Sequence, residues 1–298
     1  LIGDVQNELF GSAVAIAETT IAVGAHYNDS SGKVETYDFN GSHWVQKGQS
    51  LYGEDPDDFS YIVDLNDAGD VLAIGGRGHN NNTGHVRVYQ FNASAEQWEQ
   101  MGSDIEGEAT NDWSGSSVSL SSTTRLAIGS TQFLTSSSGY VRVYDFVSGN
   151  WNQVGQDLNG SLASTSGIVD LSADGLRLAV GEPSATVNGS ATGQVVVYDY
   201  SGSFWNKIVT IGGECEQETF GQAVSLSGDG NSLAIGAPNS GGQFGSPSGY
   251  LKVFGYSAPP TTTATSTATS TVTTSTSPSS TATSTVTTST SPTSTATS

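Results

Sequence analysis

Basic residues, cysteine and long apolar runs are all scarce in this sequence. Only nine of its 298 residues are Lys or Arg, against 29 Asp or Glu, so the formal net charge is −20. A surface this acidic repels nucleic acid and anionic membranes, and we expect neither as a partner. No apolar run approaches the roughly 18 residues of a membrane span. The one cysteine, Cys215, excludes a disulfide within the chain; we expect a buried free thiol, with pairing between two chains as the alternative.

Helical periodicity is also missing, and a repeat of about 53 residues takes its place. An apolar motif ending in glycine occurs five times, at residues 21–24, 72–75, 126–129, 178–181 and 233–236. An alternating segment follows each copy, at 34–39, 86–91, 141–146, 195–200 and 251–256. Behind the first four copies stands a tryptophan: Trp44, Trp98, Trp151 and Trp205. Their regular spacing predicts a place in the blade core rather than a sugar-binding platform.

The repeat predicts an all-β fold, namely a single five-bladed β-propeller over residues 1–258. A single meander of four short strands cannot bury both of its faces, whereas radial stacking buries them all. A linear β-solenoid and a β-sandwich are the alternatives. The predicted blades span residues 5–54, 55–108, 109–160, 161–214 and 215–258. Residues 259–298 are predicted to form an extended, non-globular tail.

Two short motifs in the last repeat resemble those of a known family. Phe220-Gly221 and Gly236-Ala237-Pro238 spell the two halves of the FG-GAP repeat, and Phe10-Gly11 with Gly24-Ala25 is a near copy. Residues 1–258 therefore resemble the FG-GAP propellers of the integrin α type. The resemblance implies a propeller fold, an extracellular or cell-surface location, and adhesion or ligand binding.

Many FG-GAP repeats carry calcium in a D-x-D-x-D-G loop, and this chain has no such loop. Asp67, Asp174 and Asp229 stand singly in predicted hairpin turns, without the run of oxygen ligands that calcium needs. We therefore expect no metal and no cofactor.

The two ends of the repeat array do not match. Residues 1–4 resemble the end of the fourth element of a blade, whereas the fifth repeat stops after residue 256 without a tryptophan segment. Either residues before Leu1 complete that blade or its outer edge is open. An open edge exposes unpaired N–H and C=O groups, to which a strand from another chain can add.

Potential glycosylation sites are abundant. Six N-x-S/T sequons lie in predicted loops, at Asn28, Asn40, Asn81, Asn92, Asn159 and Asn188. The tail contains a 14-residue Thr/Ser-rich repeat and too little apolar surface to fold alone. Such composition is typical of O-glycosylated, mucin-like stalks. The candidate sites are Thr261, Thr267, Thr271, Thr273, Thr274, Ser277, Thr281, Thr285, Thr287, Thr288 and Ser291.

Candidate catalytic groups are few. Asp64 and Asp170 occupy matching positions on the innermost strands of blades two and four, where a glycoside hydrolase would place its carboxylates. The alternative is that both accept hydrogen bonds from nearby backbone N–H groups. The four histidines (His26, His43, His79 and His85) share no metal-ligand spacing, although His79 and His85 flank one polar loop. Trp113 is predicted to be core, at the position of Phe10 and Phe220. We therefore expect no enzymatic activity.

These observations lead to three hypotheses. The first is an extracellular structural glycoprotein that assembles with copies of itself, head to tail, into a fibril, sheath or wall layer. In a specific version, residues 269–276 of one tail lie along blade five of a neighbouring propeller, because Thr and Val favour strands. The second is a cell-surface adhesion or ligand-binding module on a glycosylated stalk. The third is a glycoside hydrolase that uses Asp64 and Asp170.

Overall fold

A computed structural model shows an all-β chain whose sheets form a five-bladed β-propeller arrangement, so the predicted fold class is confirmed. It describes residues 1–3, 6, 8–26, 31–54, 62–122, 125–132, 138–161, 167–239 and 248–256. Among these residues no helix has the length and hydrophobicity needed to cross a membrane. Residues 1–257 form one compact unit.

The first three blades share one plan, in which three long strands are followed by two short ones that both pair with the third strand. Blade 1 contains β1 (Phe10–Ala17), β2 (Thr20–Ala25), β3 (Lys33–Phe39), β4 (Trp44–Gln46) and β5 (Leu51–Tyr52). Blade 2 contains β6 (Ile62–Leu65), β7 (Val71–Gly76), β8 (His85–Asn92), β9 (Gln97–Gln100) and β10 (Ile105–Glu106), with the short α1 (His79–Asn82) between β7 and β8. Blade 3 contains β11 (Ser114–Leu120), β12 (Arg125–Ser130), β13 (Tyr140–Val147), β14 (Asn150–Gln153) and β15 (Leu158–Asn159).

The last two blades depart from this plan. Blade 4 contains β16 (Ile168–Leu171), β17 (Arg177–Glu182), β20 (Gln194–Tyr200) and an unbroken β21 (Trp205–Gly212). A small hairpin of β18 (Thr186–Val187) and β19 (Ser190–Ala191) interrupts it. Blade 5 has only β22 (Ala223–Leu226), β23 (Ser232–Ala237) and β24 (Tyr250–Gly255). Its outer edge is therefore open in the described part of the chain.

Neighbouring blades meet through apolar side chains that alternate along their strands. Val86 and Val88 on the third strand of blade 2 share one cluster with Val118 and Leu120 on the inner strand of blade 3. Equivalent residues form the clusters between blades 1 and 2, 3 and 4, and 4 and 5. Burying each such side chain contributes about 1.5 to 3 kcal/mol, so these four interfaces supply most of the hydrophobic stabilisation.

The equivalent apolar positions on the outer faces of blades 1 and 5 are not covered by a neighbouring blade. Val14 and Ile16 are 64% and 69% exposed, and Leu251 and Val253 are 66% and 67% exposed. No core cluster of the described residues joins blade 5 to blade 1. The five blades therefore make four apolar interfaces, and the two end faces expose apolar residues to solvent.

The repeated glycines are explained by close backbone contact between blades. A Cβ added to Gly181 would lie 2.2 Å from the carbonyl oxygen of Gly221 in the next blade. Gly75 and Gly129 meet Gly115 and Gly167 in the same way. The glycine of the strand-two motif and the glycine of the FG motif are thus two halves of one contact.

The regularly spaced tryptophans also act between blades. Trp98 and Trp205 are almost fully buried, and the indole N–H groups of Trp98, Trp151 and Trp205 donate to residues of the preceding blade. The predicted core position of these residues is confirmed. Trp44 of blade 1 packs on Phe39 and is only half-buried.

We expect Gly181→Ala to lower the free energy of unfolding by about 2 kcal/mol or more, because its methyl group would clash with the backbone of blade 5. In a domain of this size that corresponds to a fall in Tm of roughly 4–8 °C, measurable by calorimetry. Gly236→Ala is the matched control at the same motif position. Its Cβ would meet only Ala223, at 3.4 Å, so its stability should stay near that of the wild type. Equal losses in both variants would contradict the blade contact.

Candidate functional site

One end of the central channel opens into a cavity of about 600 Å³. The first residues of the inner strands line it, and so do the residues that directly follow the second strands of blades 2, 3 and 4: Arg77, Thr131 and Pro183. Because these blades repeat the same turn, the repeat brings one equivalent residue from each of blades 2, 3 and 4 to the same rim. We call this cavity the channel mouth.

Arg77 is the only charged residue that lines the channel mouth among the described residues. Its guanidinium carbon lies 4.8 Å from the ring centroid of Trp113, in cation–π geometry. Hydroxyl and amide groups of Ser116, Thr131 and Gln222 complete the polar part of the wall. Arg77 is thus one of only nine basic residues in a chain of net charge −20.

The prediction that Trp113 belongs to the blade core is wrong. Ser114, not Trp113, pairs across the strand as Phe10 does in blade 1. Trp113 stands one residue earlier, with a φ of 54°, and Leu9 and Thr219 at the equivalent positions have a φ of 55°. This left-handed conformation is costly for a bulky residue and turns the indole towards the channel mouth.

Buried polar contacts hold Trp113 in that conformation. Asp112 accepts hydrogen bonds from the backbone N–H groups of Glu108 and Ala109 and from the Tyr140 hydroxyl. The N–H of Trp113 donates to the carbonyl of Asn82, 2.8 Å away. Asn82 belongs to α1, which contains left-handed residues that asparagine tolerates. Sequence reasoning missed Asp112, although Glu8 and Glu218 are buried acids at the equivalent places.

His26 occupies in blade 1 the position that Arg77 occupies in blade 2. Burial lowers the pKa of His26, and the positive charge of Arg77 lowers it further. The imidazole is therefore neutral near pH 7 and able to accept a proton. His26 is almost fully buried and is not among the residues that line the channel mouth.

Asp64 and Asp170 tie neighbouring inner strands together. The carboxylate of Asp64 accepts the N–H of Leu120 at 2.7 Å, and that of Asp170 accepts the N–H of Leu226 at 2.6 Å. Ser119 does the same between blades 3 and 4, where its hydroxyl accepts the N–H of Leu171 at 3.0 Å. Both carboxylates thus accept hydrogen bonds from backbone N–H groups, which was the predicted alternative to a catalytic role. Neither lines the channel mouth.

Three side chains of blade 2 meet in a possible metal-binding arrangement that sequence spacing did not indicate. Ligand atoms of His79, His85 and Glu106 lie within 4.8 Å of one another. However, the two imidazoles are stacked at 4.1 Å and nearly parallel, so their lone pairs do not converge on one point. His85 also lies 3.2 Å from Asp104 and 3.4 Å from Arg87 through its two ring nitrogens. These contacts account for the pair without a metal.

The other predicted site residues are distributed over the surface. Asn40, Asn81, Asn159 and Asn188 are exposed and Asn92 is half-buried. Asn92 and Asn159 end strands β8 and β15, so for these two the predicted loop position is wrong. Asn28 and the tail candidates lie outside the described residues, and glycosylation at every position stays a prediction. Cys215 is exposed in the connection between β21 and β22, so the predicted buried thiol is also wrong.

Comparison with known proteins supports the propeller. The FG-GAP repeat family model matches residues 4–37, which lie in blade 1, and such repeats are typical of extracellular or periplasmic proteins. No curated protein sequence matches the chain.

Two solved structures share the fold at low sequence identity. One is described as a candidate 6-phosphogluconolactonase from Bacteroides uniformis, with 14% identity, a TM-score of 0.55, and coverage of 84% of this chain and 73% of that one. The other is the periplasmic gluconolactonase of Pseudomonas aeruginosa, with 17% identity, a TM-score of 0.52, and coverage of 76% of this chain and 64% of that one.

These neighbours correct the expectation of no enzymatic activity. That expectation rested on the lack of a recognisable catalytic motif in the sequence. Both structures are nevertheless named as lactonases, so a propeller of this shape can be an enzyme.

We expect Asp64→Asn to stabilise the protein most at high pH. Burial raises the pKa of Asp64 from 3.8 to about 7 despite its hydrogen bonds. Because the folded state holds this proton more tightly than the unfolded state, wild-type stability falls as the pH rises from about 4 to about 7. The variant lacks this loss, so its advantage should grow across that window to about 1 to 3 kcal/mol. Urea unfolding at several pH values measures it, with Glu96→Gln in the exposed turn between β8 and β9 as the control. A constant difference between Asp64→Asn and wild type would show that this carboxyl does not titrate as stated.

Proposed function

We propose that the protein is a hydrolase of small, hydroxylated sugar acids in their lactone form, with its active site at the channel mouth. The observation that carries this proposal is the placement of Arg77 over Trp113 in a cavity whose other described lining residues are uncharged. A guanidinium recognises carboxylate or phosphate, and an indole face packs against the C–H face of a sugar ring. The neighbouring Ser, Thr and Gln side chains suit ring hydroxyls.

Lactone hydrolysis needs few protein groups. A water molecule adds to the carbonyl carbon, the ring C–O bond breaks, and the proton that water loses reaches the ring oxygen through solvent, which gives a hydroxy acid. Among the described residues that line the channel mouth there is no histidine or carboxylate, and His26 is buried outside it, so solvent carries the proton. Arg77 is placed to stabilise the negative charge that develops on the carbonyl oxygen. The lactonase names of the two structural neighbours support this reaction class.

We expect the protein to hydrolyse glucono-1,5-lactone or its 6-phosphate above the buffer rate in a pH-stat assay. Arg77→Gln should lower kcat/KM about 100- to 1,000-fold, since it removes the one cation among the described residues that line the cavity. Lys207→Gln is the matched control, because it removes the same charge from the exposed face of β21. A chain that shows no turnover of either lactone, or an Arg77→Gln variant as active as Lys207→Gln, would refute the proposal.

A second candidate function is an extracellular structural glycoprotein that assembles head to tail. The open outer edge of blade 5 favours it, because β24 pairs with β23 alone among the described strands. In this version residues 269–276 of one chain add to that edge in the next chain. An adhesion module on a glycosylated stalk would use the same two parts without self-assembly.

Deleting residues 261–298 distinguishes tail-mediated self-assembly from an adhesion module that does not self-assemble. Tail-mediated assembly predicts that the full glycosylated chain forms regular polymers by negative-stain electron microscopy, whereas the truncated chain stays a folded monomer. Circular dichroism provides the folding control. Polymers from the truncated chain would exclude the tail as the connecting segment.

A further inference from the structure

A tryptophan fills the outer end of three of the four blade interfaces. The indole N–H of Trp151 donates to the carbonyl of Met101 at 2.7 Å, and that of Trp205 to the carbonyl of Val154 at 3.0 Å. Trp98 lies 3.2 Å from the carbonyl of Lys47 in the same way. Each indole also packs on an aromatic ring of its own third strand, at 5.0 to 5.3 Å between centroids.

The fourth interface, between blades 4 and 5, has a cavity of about 400 Å³ at this place. We call it the blade-five slot; its apolar wall includes Ile208, Val209, Leu226, Leu233, Phe254 and Tyr256. Ile208 stands three residues after Trp205, just as Met101 and Val154 follow the tryptophans of their own blades. Tyr256 ends the third strand motif of blade 5, as Tyr200 does in blade 4. The slot is thus the tryptophan position of a fifth repeat.

A cation that lies beside the tryptophan in a filled blade interface is also present beside the blade-five slot. Between blades 3 and 4 the guanidinium carbon of Arg125 lies 4.4 Å from the Tyr200 ring and 5.9 Å from Trp205. Between blades 4 and 5 Arg177 lies 4.1 Å from the Tyr256 ring and is held by Asp199 at 2.6 Å. The slot therefore repeats both the aromatic floor and the cation of its neighbour.

The apolar wall of the slot is exposed where its equivalents are covered. Ile208 is 42% exposed and Tyr256 is 40% exposed, whereas Met101, which lies beneath Trp151, is 9% exposed. Beside the slot, the free edge of β24 offers backbone hydrogen bonds on the side where blades 1 to 4 carry a fourth strand. An occupant can thus gain both an aromatic anchor and a strand pairing.

We propose that the blade-five slot and the edge of β24 bind an extended polypeptide segment that begins with tryptophan and has the pattern of this chain's own fourth strands. The tryptophan would enter the slot, and the following residues would pair with β24. This goes beyond both candidate functions above. Residues 261–298 contain no aromatic residue, so the tail of this chain does not supply the anchor.

The test uses the full chain and a labelled synthetic peptide of residues 149–160, which contains Trp151 and the blade 3 fourth strand. We expect saturable binding by fluorescence anisotropy, and about 30-fold or more weaker binding when the peptide carries Trp151→Ala. Tyr256→Ala in the chain should weaken binding about 10-fold or more by removing the aromatic floor of the slot. Tyr256 is 40% exposed, so this variant should fold, which its Tm verifies.

Three results would overturn the proposal. The wild-type peptide could fail to bind, the two peptides could bind equally, or the folded Tyr256→Ala chain could bind as well as wild type. The chain could also self-associate in a way that the peptide does not displace. That result would count against the proposal, because a second copy would then cover the edge of β24 through another contact. None of these readouts depends on lactone hydrolysis, so this proposal and the hydrolase proposal fail independently.

Discussion

Each blade of this propeller depends on the surface that its neighbour presents. A short meander cannot bury the valines of its third strand by itself, and the inner strand of the next blade covers them. Two further contacts fix the distance and angle of that packing. The paired glycines let the backbones approach, and the tryptophan indole ties the outer ends together. All three contacts recur at about 53-residue intervals and each joins two blades. A substitution at one of them therefore disturbs the packing of both blades.

The repeat also explains how a ligand site can arise without a catalytic motif in the sequence. In blades 2, 3 and 4 the residue after the second strand reaches the rim of the channel, so it is free of the packing constraints on the strand itself. In blade 2 that residue is Arg77, and in blade 3 a left-handed backbone brings Trp113 beside it. Asp64 and Asp170, which look more like catalytic residues, instead connect inner strands that make no ladder with one another.

The ends of the array show what happens when a neighbour is lacking. Val14 and Leu251 occupy positions that are buried inside the array and are exposed at its ends. At blade 5 the missing fourth strand leaves a cavity with the floor and the cation of a tryptophan site. An apolar surface of this kind favours association, because covering it releases water from side chains that every other blade buries.

Sequence alone determined the all-β class, the number of blades and the core role of the spaced tryptophans, because each follows from a period that repeats five times. It also indicated that the fifth blade lacks a fourth strand. Only the tertiary structure decided what happens between blades. Trp113 was assigned to the core because its one-residue offset from Phe10 is invisible without the strand register. The effect of the Arg77 charge on the pKa of His26, and the hydrogen bond from Leu120 to Asp64, link residues about 50 positions apart. Such contacts depend on the angle between blades, which no local pattern in the chain records.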